Sequence, residues 1–393
     1  MPGIGTTALV SAYAARFNPS LLRAHGVASP LGLWLLLALV GPATQGAHRQ
    51  DLETVLGTTV DDAAARAAVL VHDPHPAVLT AAAVWDRELG AAFDRWTQTL
   101  PESVQRGPIP SKADADRWAY DHTRGLIGEF PARIDHLTRL LLVSALATDI
   151  SWTTPLDADE QLGGEFGQKI KRSLTFRSGF HGVFETDAAG QVAVAAPETS
   201  SALQVLSVIA APGVPADRVD VAAHQVAAAL AGDEQAARPL PEAELIDGHA
   251  WTVTERREQR SGGPERLLQW QSYLPAWSAR SDHDLANAPG VEPVLQALAT
   301  FARPDDRPVN FAVRQSAVAS YTRSGFKAAA VSVIGMRAAG MPSFREVLVR
   351  RIELRFNRPY VVLACAARDD GPPAWRGMPV FSAWITEPEE AHA

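Results

Sequence analysis

The chain has 393 residues, 47% of them apolar and 20% charged, with a formal net charge of −8. That is enough apolar material for one large core or two, and the acidic balance, without a lysine-rich tail, excludes a general nucleic-acid binder. The one cysteine, Cys365, excludes an internal disulfide framework and, set in the apolar stretch VVLACAA, reads as a small buried hydrophobe.

The chain does not open on a basic region, a continuous apolar core and a cleavage site, so a cytoplasmic location is expected, with an extracellular one as the alternative. Thr6 to Phe17 reads as an amphipathic helix that stops at Asn18-Pro19. Leu31 to Val40 is apolar on every side but far short of the ~20 residues that cross a bilayer. It is expected as a buried helix, and no membrane partner is expected. Ala47 to Leu56 has helical spacing and ends at Gly57; Thr59 then caps an alanine-rich helix. His72-Asp73-Pro74-His75 reads as a solvated turn in preference to a metal cluster, and no cofactor is expected. A further helix is expected over Ala113 to Phe130, stopped by Pro131.

From Leu137 onward strand signals dominate: Leu140 to Ile150, Ser173 to Phe184, Gln191 to Ala195 and Ala202 to Ala210. Pro215 to Ala231 is a helical interlude. Trp251 to Glu255 and Leu267 to Tyr273 follow as strands, with Ser261-Gly262-Gly263-Pro264 as the turn between them. Helices first and sheets later, with no repeat or linker, indicate a single α+β domain over residues 1–393.

Tyr321 to Met336 reads YTRSGFKAAAVSVIGM, a glycine followed by small residues and a strand-like continuation. In extended form Phe326, Ala328, Ala330, Ser332, Ile334 and Met336 would share one face, while Lys327 and Arg337 fall on the other. Such a segment can join a sheet.

Further stretches give this one a context. VASPLGLWLLLALVGPATQGAHRQDLETVLG carries Ser29-Pro30 and Gln50 to Gly57. ADADRWAYDHTRGLI carries Asp116, Trp118, Thr123 and Gly125, and LLVSALATDISWTTPLD carries Trp152 and Pro155. YLPAWSARSDHDL, Phe356-Asn357-Arg358-Pro359-Tyr360 and Phe381 to Pro388 follow. In this order they resemble the serpins over nearly the whole chain. The resemblance implies a helical N-terminal part around large mixed and antiparallel sheets, with an exposed reactive-centre loop at about residues 325–345.

It also implies a suicide-substrate inhibitor of a serine-type endopeptidase, with a cysteine protease as a second target class. The protease would cut the loop, form an acyl-enzyme, and be carried along as the loop enters the main sheet. The chain would be a monomer and no catalyst; it has no G-x-S-x-G elbow, P-loop or zinc helix. Gly325, Phe326, Lys327, Ala328, Ala329 and Ala330 would form the hinge, and Ser29, Ser144, Trp152 and Gln315 the region where the sheet opens. The bond cut would be Ala339-Gly340, suiting an elastase-like or subtilisin-like enzyme, or Arg337-Ala338, suiting a trypsin-like one. The alanine-, arginine- and proline-rich composition suggests a GC-rich bacterial source.

Several positions depart from the serpin pattern. Phe326 stands where inhibitors carry Thr or Ser, and overpacking by such a ring costs ~1–3 kcal/mol. Arg323, Ser324 and Lys327 replace acidic residues around the glycine, Ser144 replaces an asparagine, Gln315 a histidine, and Gly32 a serine. Ser29, Ser144 and Gln315 either bond to one another or pack as ordinary core. These departures favour the alternative of a non-inhibitory serpin-fold carrier or interaction protein. Arg345, Arg350, Arg351 and Arg355 read as alternating surface residues of a strand, with a polyanion patch as the alternative.

Overall fold

The computed structural model describes residues 4–87, 89–130, 134, 138–148, 150–261, 264–301, 310–326, 344–367 and 371–391. The chain begins with α1 (Thr6–Leu21), β1 (Gly26–Ala28), α2 (Pro30–Val40), α3 (Gly46–Leu56), α4 (Val60–His72), β2 (Val78–Asp86), α5 (Ala91–Thr97), β3 (Val104–Pro108) and α6 (Lys112–His122). It continues with β4 (Thr138–Thr148), β5 (Ile150–Ser151), β6 (Asp157–Asp159), α7 (Gly164–Gly167), β7 (Ser173–Phe176), β8 (Gly179–Thr186), β9 (Gly190–Pro197), β10 (Leu203–Ile209) and α8 (Ala216–Leu230). The rest is β11 (Arg238–Pro239), β12 (Trp251–Ser261), β13 (Arg266–Leu274), β14 (Trp277–Asp284), α9 (Val291–Ala299), β15 (Asn310–Tyr321), β16 (Gly325–Phe326), β17 (Phe344–Arg355), β18 (Tyr360–Ala366) and β19 (Pro379–Ile385).

The chain divides into two compact units, each assembled from three stretches. One comprises Met1–Asp149, Ala279–Ala319 and Ala364–Ala383; the other comprises Ile150–Ser278, Ser320–Leu363 and Trp384–Ala393.

In the first unit α2 is apolar all round because all eleven of its residues are buried. Its start is set by Ser29, whose Oγ accepts from the Gly32 amide at 3.2 Å, with Pro30 at the first helical position. Thr59 caps α4 by accepting from the Asp62 amide, and Gly57 closes α3 in the left-handed region, as the sequence indicates. The sheet of this unit has the order β14-β15-β4-β2-β3. Ala83 and Trp85 of β2 and Leu141, Val143 and Ala145 of β4, alternate residues of each strand, bury one sheet face against Ala115, Trp118 and Ala119 of α6.

Several local expectations are corrected. α1 runs through Pro19 to Leu21, because a proline in the last turn costs only one hydrogen bond and the Leu22 amide still reaches Asn18 O at 2.8 Å. α6 ends at His122 and not at Phe130. Thr123 Oγ1 turns back to Ala119 O, Arg124 and Gly125 adopt φ of 51° and 81°, and the Gly125 amide bonds Tyr120 O. The first third is less purely helical than its composition indicates: β2, VLTAAAVWD, is strand because it pairs antiparallel with β4, although alanine has little strand preference. His75 is buried against Trp375, whose Nε1 donates to Asp73 O, so the His72–His75 segment is only partly solvated. Among the described residues no three metal-ligating side chains gather.

In the second unit β11, β8, β9 and β10 are successive antiparallel neighbours. The expected Ser173–Phe184 strand breaks into β7 and β8 before Gly179, where φ is 111° and a Cβ would meet Ala196 O at 2.3 Å. A second sheet has the order β12-β17-β13-β7-β6. β12 is longer than its charge-rich sequence suggests because β17 supplies the partners: Arg350 pairs with Glu255 at 2.5 Å and Arg351 with Glu258 at 3.0 Å. Arg355 pairs with Glu353 at 2.8 Å, so three of the four arginines of the candidate polyanion patch face carboxylates. Cys365, at the end of β18 and within the first unit, is fully enclosed, and burial pushes its thiol up to about 12. Among the described residues no helix is long and apolar enough to cross a membrane.

Burial pushes His181, His224, His249 and His283 below their ordinary 6.5, His181 to about 4. As the pH falls through 6.5, the unfolded chain takes up protons that the folded chain refuses. Their contribution is therefore complete above about pH 6.5 and declines toward pH 4. Melting temperatures across this window are expected to fall with pH, and His181→Asn is expected to shallow the slope. An unchanged slope in that variant would contradict the assignment.

Candidate functional site

β4 and β15 are neighbours in the five-stranded sheet and run parallel, from Asn310 opposite Thr138 to Ser316 opposite Ala145. Most other described pairings in the molecule are antiparallel. A parallel pair requires a long crossover, and here it spans the chain between residues 148 and 310. At this pair Gln315 stands in register with Ser144. The Gln315 side chain reaches Ser29: Oε1 accepts from the Ser29 amide and Nε2 donates to Ser29 O, both at 2.9 Å. Ser29 Oγ donates to Val380 O at 2.7 Å. Gln315 is 1% exposed, so these bonds are made away from water. Ser29 and Gln315 are thus joined directly, while the buried Ser144 hydroxyl has no hydrogen-bonding partner among the described residues.

Trp152, the fourth expected sheet-opening residue, lies in the other unit and organises the turn that follows β15. Its Nε1 donates to Thr322 O at 2.9 Å and its amide to Ser324 O at 3.1 Å. The Leu156 amide bonds Arg323 O, and Arg323 Nε returns to Leu156 O. Within the turn the Thr322 amide and Oγ1 both bond Gly325 O. Gly325 then pairs with Ser151, and Phe326 with Ile150, as a two-residue antiparallel ladder. A Cβ on Gly325 would lie 2.3 Å from Ile150 O, so only glycine fits at this approach.

Phe326 is 2% exposed. Its ring meets Trp277 edge-on at 5.8 Å and Tyr321 at 6.4 Å, and Tyr321 in turn lies 4.9 Å from Trp152. The bulky hinge residue is therefore seated in an aromatic cluster. Trp277 and Tyr321 were not foreseen as site residues; their only sequence signal was their place inside YLPAWSARSDHDL and at the start of the hinge stretch.

Lys327, Ala328, Ala329 and Ala330 of the hinge lie outside the described residues, as do both candidate bonds, Arg337-Ala338 and Ala339-Gly340. From Phe344 onward β17 is held on both sides. It is antiparallel to β12 from Phe344–Ser261 to Leu354–Trp251, and parallel to β13 from Leu348–Arg266 to Arg355–Tyr273.

No family model matches the sequence, and no curated protein is similar to it at the level of sequence. Solved structures are. Human thyroxine-binding globulin complexed with thyroxine is similar over 98% of this chain and 99% of its own, with a TM-score of 0.64 and 13% identity. Serpin48 of the insect Tenebrio molitor is similar over 97% of both chains, with a TM-score of 0.60 and 14% identity. The thermophilic serpin tengpin in its native state is similar over 98% of this chain and 95% of its own, with a TM-score of 0.63 and 13% identity. This chain has the serpin fold.

Proposed function

We propose that the protein is a suicide-substrate inhibitor of a serine-type endopeptidase, built as one serpin domain over residues 1–393 and acting as a monomer. The observation that carries this reading is the parallel pair β4–β15, followed at the end of β15 by a tight turn and the Gly325-Phe326 hinge. A strand that reverses after β15 and enters beside it runs antiparallel to both neighbours. One parallel ladder would be exchanged for two antiparallel ones, the more stable kind per residue. Strand insertion of this sort is an established way to release stored strain.

The ends of the loop support the same reading. Gly325 and Phe326 are held on β5, and the chain from Phe344 is clamped between β12 and β13. An uncut loop tethered at both ends cannot enter the sheet without stripping one of these ladders. Cleavage at Ala339-Gly340 or Arg337-Ala338 removes that restraint. The nucleophile and the acyl chemistry belong to the protease; this chain supplies the bait and the free energy of insertion.

A second reading, a non-inhibitory carrier or interaction protein, is favoured by the Phe326 seat. Re-exposing a buried aromatic ring costs ~1.5–3 kcal/mol, which delays insertion while the protease completes hydrolysis. Incubation with elastase, subtilisin and trypsin separates the two. A covalent complex that survives SDS supports inhibition; clean cleavage by all three, with no complex, supports the carrier. Phe326→Thr is expected to speed insertion by about 10- to 100-fold, at 1.36 kcal/mol per decade, and to raise the share of protease trapped per molecule cut. The ratio of complex to cleaved product on a gel checks this.

A further inference from the structure

A cavity of about 780 Å³ opens against β8 in the second unit, bounded by the C-terminal end of α8, the β11 segment and Trp270 of β13. Its volume is in the range of small-molecule sites. Phe180, Phe184 and Trp270 give it aromatic walls, and Gly182 leaves the floor between the two phenylalanines bare: a Cβ there would lie 3.0 Å from the Phe184 ring and 3.2 Å from Phe180. The charged groups among the described lining residues are both carboxylates, Glu234 and Glu242, and no lysine or arginine is among those residues. Glu242 accepts from Trp270 Nε1 at 3.1 Å, which fixes one carboxylate at the aromatic wall.

His181 adds an acceptor. Its ring lies parallel to Trp270 at 6.0 Å, and its Nε2 is buried without a hydrogen-bonding partner among the described residues. With its pKa near 4 the ring is neutral at physiological pH, and in the tautomer protonated at Nδ1 this nitrogen presents a lone pair. A buried acceptor left unpaired is costly, and a donor from a bound molecule would satisfy it. Aromatic walls, two carboxylates, an unmet acceptor and no cation together select flat apolar rings that carry an ammonium group, and reject carboxylates.

We propose that this cavity is a binding site for a small aromatic amine, a property independent of the protease reading. Isothermal titration with tryptamine and with indole-3-acetate, which share a ring system and differ in charge, tests it. Tryptamine is expected to bind at least about tenfold more tightly, the effect of roughly one favourable and one unfavourable screened charge contact. In Glu234→Gln/Glu242→Gln that preference is expected to shrink to about threefold or less. Ala229→Trp, which fills the cavity from α8, is expected to abolish tryptamine binding while the melting temperature stays within a few degrees of the parent. No binding of tryptamine, equal binding of both compounds, an unchanged preference in the double variant, or full binding to folded Ala229→Trp would each overturn the proposal.

Discussion

Cutting the chain between residues 327 and 343 is expected to raise its melting temperature by roughly 20 °C. The inserted strand gains about a dozen ladder hydrogen bonds beyond those of the β4–β15 pair it displaces, at ~0.5–1.5 kcal/mol net each, or roughly 10 kcal/mol. At about 2 °C per kcal/mol for a chain of this size, that is a large displacement, comparable with the whole stability of many domains. Burial of Ala328, Ala330, Ser332, Ile334 and Met336 on one face adds to it. Scanning calorimetry before and after limited proteolysis with subtilisin gives the value. A staple provides the control: Ser316 and Ala145 are opposite each other across the parallel pair, and ladder spacing suits a disulfide. In Ala145→Cys/Ser316→Cys, oxidised, nicking is expected to leave the melting temperature unchanged, and reduction is expected to restore the rise. The native Cys365 is enclosed and does not compete for pairing.

The next largest effect is expected at Gln315. Gln315→Leu removes one acceptor and one donor at once and leaves both the amide and the carbonyl of Ser29 buried and unpaired. Each orphaned group costs ~1–3 kcal/mol, so the variant is expected to lose about 2–6 kcal/mol of stability. Ser144→Ala, directly opposite Gln315 across the ladder, is expected to be neutral or slightly stabilising, because its buried hydroxyl already lacks a partner among the described residues. Equilibrium denaturation in urea reads both. Equal losses in the two variants would show that Gln315 contributes bulk and not its paired hydrogen bonds.

Gln315 also shows where sequence reading stops. As a substitution for a histidine it counts as a missing member of a polar network. In the fold its amide matches a backbone unit, offering an acceptor and a donor side by side to the two groups of Ser29, which an imidazole cannot do because its two ring nitrogens point apart. The helices α2, α3 and α4 were legible because Ser29-Pro30, Gly57 and Thr59 are local signals with local causes. β2 was not, since VLTAAAVWD acquires its conformation from β4, more than fifty residues later. The seat of Phe326 was beyond sequence for the same reason: Trp152, Trp277 and Tyr321 are scattered along the chain and meet only through tertiary packing. The alternation expected after Phe326 lies outside the described residues, and the likeness of fold over 98% of the chain agrees with the order of motifs.

The most direct measurement is a crystal structure of the protein after cleavage within residues 327–343. A six-stranded sheet is expected, with the chain from Phe326 to about Met336 hydrogen-bonded on one side to Thr138–Thr148 and on the other to Asn310–Tyr321, and the Phe326 ring gone from its place beside Trp277. A cleaved molecule in which Asn310–Ser316 still pairs directly with Thr138–Ala145 and Phe326 keeps its seat would contradict it.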